Sequence, residues 1–141
     1  VLGGASLLKK VKQLEKAFDA NRDLAVKEST LAIHGEAIKI VSANAGGTSA
    51  VRYNPRRNVS VSRPGDPPHT DTGRLRQSIK FEYSKGIGKV GSNLKYAAWL
   101  EFGTEDMAPR PWLSVAVEKS AKRVAEIFEK WFKNAVKEGT S

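Results

Sequence analysis

The chain has 141 residues, a formal net charge of +9, 40% hydrophobic and 28% charged residues, and no cysteine. This length suits one domain with a modest core, and the lack of cysteine excludes a disulfide framework, a thiolate nucleophile and a Cys-based zinc site. The opening VLGGASLLKK lacks the basic-then-apolar order of a signal peptide, and no apolar run reaches the ~18–20 residues that cross a bilayer, so the sequence reads as soluble, non-membrane and made in a reducing cytoplasm.

Residues 6–19 place Leu7, Leu8, Val11, Leu14 and Phe18 at helical spacing. Asn21 and Asp23 are expected to break or cap this helix. A second one then follows, with Leu24, Leu31 and Ile38 repeating every seven residues as a narrow stripe toward a neighbour. Ala25, Ala32 and Ala37 permit a close approach there, and the NAGG at residues 44–47 stops the helix.

From Thr48 to Thr70 no sustained period of either kind is found. VSVSR at residues 59–63 suggests a brief strand, but the prolines beyond it forbid a central position in a sheet. A stretch of this kind within a small domain, about 46–70, is expected to be a functional arm. It is also where much of the charge sits. Arg52, Arg56, Arg57, Arg63, Arg74, Arg76 and Lys80 are opposed only by Asp66 and Asp71 between residues 52 and 80. Arginine favours fixed bidentate contacts, Tyr53 interrupts the charges, and the prolines reduce the entropy lost on ordering. The arm therefore points to phosphates or to an acidic protein surface.

Asp71 or Thr72 is expected to cap a short helix through Ser78. IKFEYS alternates Ile79, Phe81 and Tyr83 inward against Lys80, Glu82 and Ser84, as a half-buried strand does, and a second strand runs to about Ser92. Residues 94–103 form a helix with Tyr96, Ala97 and Leu100 on one face and Gly103 as its stop. Pro111 suits the first turn of a final helix to about Gly139, whose core face is Leu113, Val117, Val124, Phe128 and Trp131. Strands clustered between helices give an α+β fold. The expected architecture is a single domain over 1–141, with a small antiparallel sheet around a hairpin, two N-terminal helices, one long C-terminal helix and a long extended arm. A lone hairpin is marginal, so a strand from the arm or from a neighbouring subunit is expected to extend the sheet.

GIGKVG at residues 86–91 matches Gly-x-Gly-x-x-Gly, but it joins two strands where a dinucleotide site needs a strand and a helix, so it reads as a turn. His34 and His69 are the only histidines, and Asp66, His69 and Asp71 fall short of a metal site with three or four convergent donors. No nucleophile–base order, phosphate loop or isolated carboxylate pair is present, so no catalytic residue, metal or cofactor is expected. Trp99 lies off the Tyr96/Leu100 face, which makes it a candidate for an interface.

Two blocks carry a resemblance. PGDPPHTDTGRLRQSI is followed by YAAWLEFGTEDMAPRPWLSVAVEK, in the pattern T-G-x-L-R-x-S-I, then Y-A-x-x-x-E-F-G-T and R-P-[FW]-L opening a last helix. The residues are Thr72, Gly73, Leu75, Arg76, Ser78 and Ile79, then Tyr96, Ala97, Glu101, Phe102, Gly103, Thr104, Arg110, Pro111, Trp112 and Leu113. Over roughly residues 63–120 the chain resembles the tail-completion (head-to-tail joining, or neck) proteins of long-tailed double-stranded DNA phages, with Trp112 where that family more often has Phe.

The resemblance implies a non-enzymatic α+β virion protein, made in the host bacterium, that assembles into a ring, usually a hexamer. The ring caps the tail tube or its terminator and docks to the head connector or stopper below the portal, and genomic DNA passes through the lumen without sequence-specific binding. In that setting Arg52, Tyr53, Arg56, Arg57, Arg63 and Trp99 are the expected partner contacts, and Arg110 is expected to pair with Glu101 or with carbonyls ending the 94–103 helix. The alternative, resting on charge, is a basic nucleic-acid-binding protein.

Overall fold

The computed structural model describes residues 2–43, 48–53, 56–68 and 73–141; within the 48–61 segment side chains are described at Arg56, Asn58 and Val61. The fold is α+β. Its elements are helix α1 (Leu2–Ser42), strands β1 (Thr48–Tyr53) and β2 (Arg56–Val61), helix α2 (Arg74–Ser78), strands β3 (Ile79–Ser84) and β4 (Ile87–Ser92), and helices α3 (Lys95–Phe102) and α4 (Leu113–Thr140). The contacts group into two compact units, Val1–Ala32 with Glu82–Lys89 and Ala121–Ser141, and Ile33–Phe81 with Val90–Ser120.

In the first unit, α1 and α4 run antiparallel. The expected break in the N-terminal helix is absent: α1 is continuous over 41 residues, on the order of 60 Å at 1.5 Å per residue. The two residues expected to break it are engaged elsewhere. Asn21, 2% exposed, donates from Nδ2 to the carbonyl of Ala17 one turn back (2.7 Å) and to Glu138 Oε2 (3.0 Å), and accepts from Asn134 Nδ2 (2.8 Å). Asp23 accepts the backbone N–H of Gly86 (3.0 Å) in the β3–β4 turn and pairs with Arg22 (3.0 Å). With their polar groups satisfied this way, neither competes for a helix end.

Small side chains fill the seam of this pair. Ala17, Asn21, Ala25 and Ser29 are buried at four-residue spacing on α1, opposite Ile127, Ala135 and Gly139. A β-carbon at Gly139 would lie 3.1 Å from the Cα of Leu14, so glycine is what lets the backbones meet. Ala25 is buried as expected, but Leu24 and Leu31 are exposed, so the heptad stripe is not the buried face of this chain. On α4, Val117 and Phe128 are likewise exposed, and the buried line shifts to Ala116, Ser120, Ile127 and Ala135.

The second unit holds the larger apolar cluster. Ala37, Ile40 and Val41 of α1, Leu75 of α2, Ile79 of β3, Ala97 of α3 and Trp112 and Ala116 at the start of α4 are buried together, with Tyr96, Leu100 and Leu113 packed against them. His34 donates from Nε2 to the Ile79 carbonyl (3.2 Å) and meets the ring of Phe81 edge-on. Of the three residues expected to point inward from β3, Ile79 is buried, while Phe81 and Tyr83 are each 42% exposed.

The arm is not irregular throughout. β1 and β2 pair antiparallel, from Thr48↔Val61 to Tyr53↔Arg56. They form a sheet of their own, separate from β3–β4, so the arm does not extend the second hairpin. The brief strand expected at residues 59–63 overlaps the end of β2. The alternation of Val51 and Tyr53 about Arg52, and of Val59 and Val61 about Ser60, is too short in each strand to read as a sustained period. Its base is fixed: Ser62 is buried, and Gly65 donates its N–H to the Pro109 carbonyl (2.8 Å).

Candidate interaction surfaces

The strongest local construction lies between α3 and α4. Glu101, near the end of α3, turns its carboxylate onto the first N–H groups of α4. Its Oε2 accepts from Trp112 (2.8 Å) and Leu113 (2.9 Å), and its Oε1 accepts from Ser114 (3.1 Å). These are donors that a helix start leaves without partners, and the negative charge also complements the helix dipole. Burial opposes the charge of Glu101, but hydrogen bonds from the Ser114 side chain and from these three N–H groups outweigh it and hold the carboxyl below its ordinary range. Trp112, 2% exposed, donates from Nε1 to the Ala97 carbonyl (3.0 Å) and so ties the start of α4 to α3 from its other side.

The loop between them is braced at each end. Gly103 has φ 77° and donates its N–H to Trp99 O (2.7 Å), ending α3. A β-carbon there would come within 2.8 Å of Met107 O and 2.9 Å of Pro109 Cδ. Thr104 and Met107 exchange backbone hydrogen bonds (2.9 and 3.3 Å), which leaves Glu105 and Asp106 exposed at the tip of a tight loop.

The expected motif residues thus converge on structure. Leu75, Tyr96, Glu101, Gly103 and Trp112 build one core and its corner. Three expectations change. The cap of α2 is Gly73, at φ 78°, and Thr72 and Asp71 lie outside the described residues. Pro111 stands two residues before α4 begins rather than in its first turn, because Glu101 rather than proline geometry sets that start. Among the described residues, Arg110 makes no ion pair with Glu101, whose oxygens are taken by α4. Its backbone N–H instead donates to the Leu100 carbonyl (2.6 Å), and among the described residues its buried Nε has no partner. Arg76 is exposed.

Of the expected partner contacts, those that are described lie at the surface. Arg56 and Arg63 are exposed, and the side chains of Arg52, Tyr53 and Arg57 lie outside the described residues. The hairpin register sets Arg52 opposite Arg57, so cationic residues occupy directly opposed positions. Trp99 is 53% exposed, and Phe102, three residues on, is 80% exposed. Sequence reasoning missed the capping role of Glu101, since its target lies eleven positions along the chain and no local spacing marks it. It also missed the exposed Phe102 and the acidic tip beside it.

Among the described residues no group of three or more His, Asp or Glu side chains is placed to hold a metal ion, and no helix is long and apolar enough to cross a membrane. No family model, no curated protein and no solved structure matches the chain.

Proposed function

We propose that this chain is a structural, non-catalytic subunit of the head–tail interface of a long-tailed double-stranded DNA phage, a tail-completion protein that assembles into a ring. In this reading the ring caps the tail tube and docks to the head connector, and DNA passes through its lumen. One observation supports it above the rest. The two blocks that resemble the neck family fold onto each other, with Leu75, Ile79, Ala97 and Trp112 in one buried cluster, while Arg56, Arg63, Trp99 and Phe102 are left at the surface. A ring subunit has that division of labour: a body that holds itself, and unlike faces for unlike neighbours.

Negative-stain imaging of the purified protein beside isolated particles tests the proposal. Rings of the protein, and its detection at the head-proximal end of tails, are expected. Its absence from mature particles would overturn the reading.

A second reading is favoured by one feature: between residues 48 and 63 there are four arginines and no acid. A nucleic-acid-binding protein would retain duplex DNA, with affinity falling steeply as salt rises. The ring reading expects no retention near physiological salt.

A further inference from the structure

The outer face of α3 and the loop that follows it form a surface of defined chemistry. Trp99 and Phe102 are three residues apart on the helix and so lie on adjoining positions of one face, both exposed. Glu105 and Asp106 follow directly, held at the loop tip by the Thr104–Met107 hydrogen bonds. Between residues 94 and 109 the acids are Glu101, Glu105 and Asp106 against the single cation Lys95. Glu101 is committed to α4. What faces solvent is therefore two aromatic rings with two carboxylates on the loop side and Lys95 one turn back from Trp99, on a chain whose net charge is +9.

The complement is on the same polypeptide. The β1–β2 segment and its base carry Arg52, Arg56, Arg57 and Arg63 and no acid, with Tyr53 among them. The register sets Arg52 opposite Arg57, so the hairpin carries its cationic positions close together along the chain, and an anionic surface suits a ribbon of this composition. Guanidinium is the cation best suited to a surface of this kind, since it stacks on an indole face and forks onto a carboxylate.

We propose that Trp99, Phe102, Glu105 and Asp106 receive the arginine-rich β1–β2 hairpin of a second copy of this chain. The inference rests on the ring reading and gives it an interface. The two surfaces differ, so the contact is heterologous and repeats head to tail, as a closed ring requires. The acceptor is stiff before contact, through the Gly103 and Arg110 backbone hydrogen bonds to α3 (2.7 and 2.6 Å), and a preorganised surface loses less entropy on binding. A phosphate backbone suits the hairpin equally, but it leaves the exposed aromatic pair and the Glu105–Asp106 tip without a role.

The test is sedimentation velocity on the purified full chain over a range of concentrations, with a duplex-DNA retardation assay on the same samples. Arg56→Glu, and separately Glu105→Arg with Asp106→Arg, are expected to weaken self-association at least ~10-fold each. The chain carrying all three reversals is expected to recover much of it. All three positions are exposed, and recovery in the combined variant shows that the two separate variants did not act through misfolding. If the unaltered chain forms rings and the reversals assemble as it does, this interface is overturned while the ring reading stands. If Arg56→Glu abolishes DNA retention and leaves assembly unchanged, the hairpin belongs to nucleic acid and the proposal falls. If the unaltered chain is monomeric at every concentration and absent from particles, the ring reading falls with it.

Discussion

Around the α3–α4 corner, a nearly buried tryptophan and one carboxylate make the contacts that fix where a helix begins. Along α1 and α4 in the first unit, closure instead falls to Ala17, Ala25, Ala135 and Gly139 and to the Asn21–Asn134–Glu138 network, while Leu7, Leu8, Phe128 and Phe132 stay exposed. The corner concentrates its stability in two side chains. The helix pair distributes its stability over many small contacts, with Ile127 its one large buried apolar side chain among the described residues, and leaves Leu7, Leu8, Phe128 and Phe132 outside. Function is to be sought on the surfaces that the chain leaves unfilled, and damage to folding at the corner.

Trp112→Ala should break this contrast most severely. It opens a cavity among Ala37, Leu75, Ile79, Ala97 and Ala116 and leaves the Ala97 carbonyl without its indole partner. A loss of about 3–5 kcal/mol in denaturant unfolding is expected. Trp112→Phe should recover most of the packing and none of the hydrogen bond.

Glu101→Ala comes next, at roughly 2–3 kcal/mol, because three N–H groups at the start of α4 lose a charged acceptor. Its pH dependence sharpens the assignment. The folded carboxyl titrates below its ordinary value, so between the two values the unfolded chain binds more protons and stability rises with pH. The contribution is complete above the ordinary glutamate range and is lost as the pH falls through the folded value. Glu28, lowered chiefly by its hydrogen bond from Lys130, titrates in both proteins. The difference between the acid flanks of the unaltered chain and Glu101→Gln therefore isolates Glu101. Parallel acid flanks would contradict the capping role.

How much of this was legible in the sequence follows from range. The β3 and β4 spans, the end of α3 at Gly103 and the long last helix are set by neighbours within a few positions, and their patterns could be read. The unbroken α1 could not be. Asn21 reads as a breaker until Glu138 and Asn134, more than a hundred positions away, take up its amide. The burial on α4 departs from its pattern for a related reason: spacing alone points Val117 and Phe128 inward, whereas close approach at Gly139 and Ala135 selects small residues there. At the surface, the arginines of the arm could be seen as charge. The carboxylate tip at Glu105 and Asp106 needed the Thr104–Met107 closure to give it a shape.

The smallest effect is expected at Phe132. It is exposed, its ring lies 5.4 Å from that of Phe18, and with Phe18, Phe128 and Trp131 it lines an open cavity of about 100 Å³. If the helix pair rests on its small-residue seam and the Asn21 network, Phe132→Ser removes one tilted ring contact and little buried area, and unfolding should shift by less than about 1 kcal/mol. A loss as large as that of Trp112→Ala would mean that the exposed rings, rather than the alanines and glycine beneath them, hold α4 to α1. The contrast between corner and helix pair would then reverse, because large side chains would carry the stability of both.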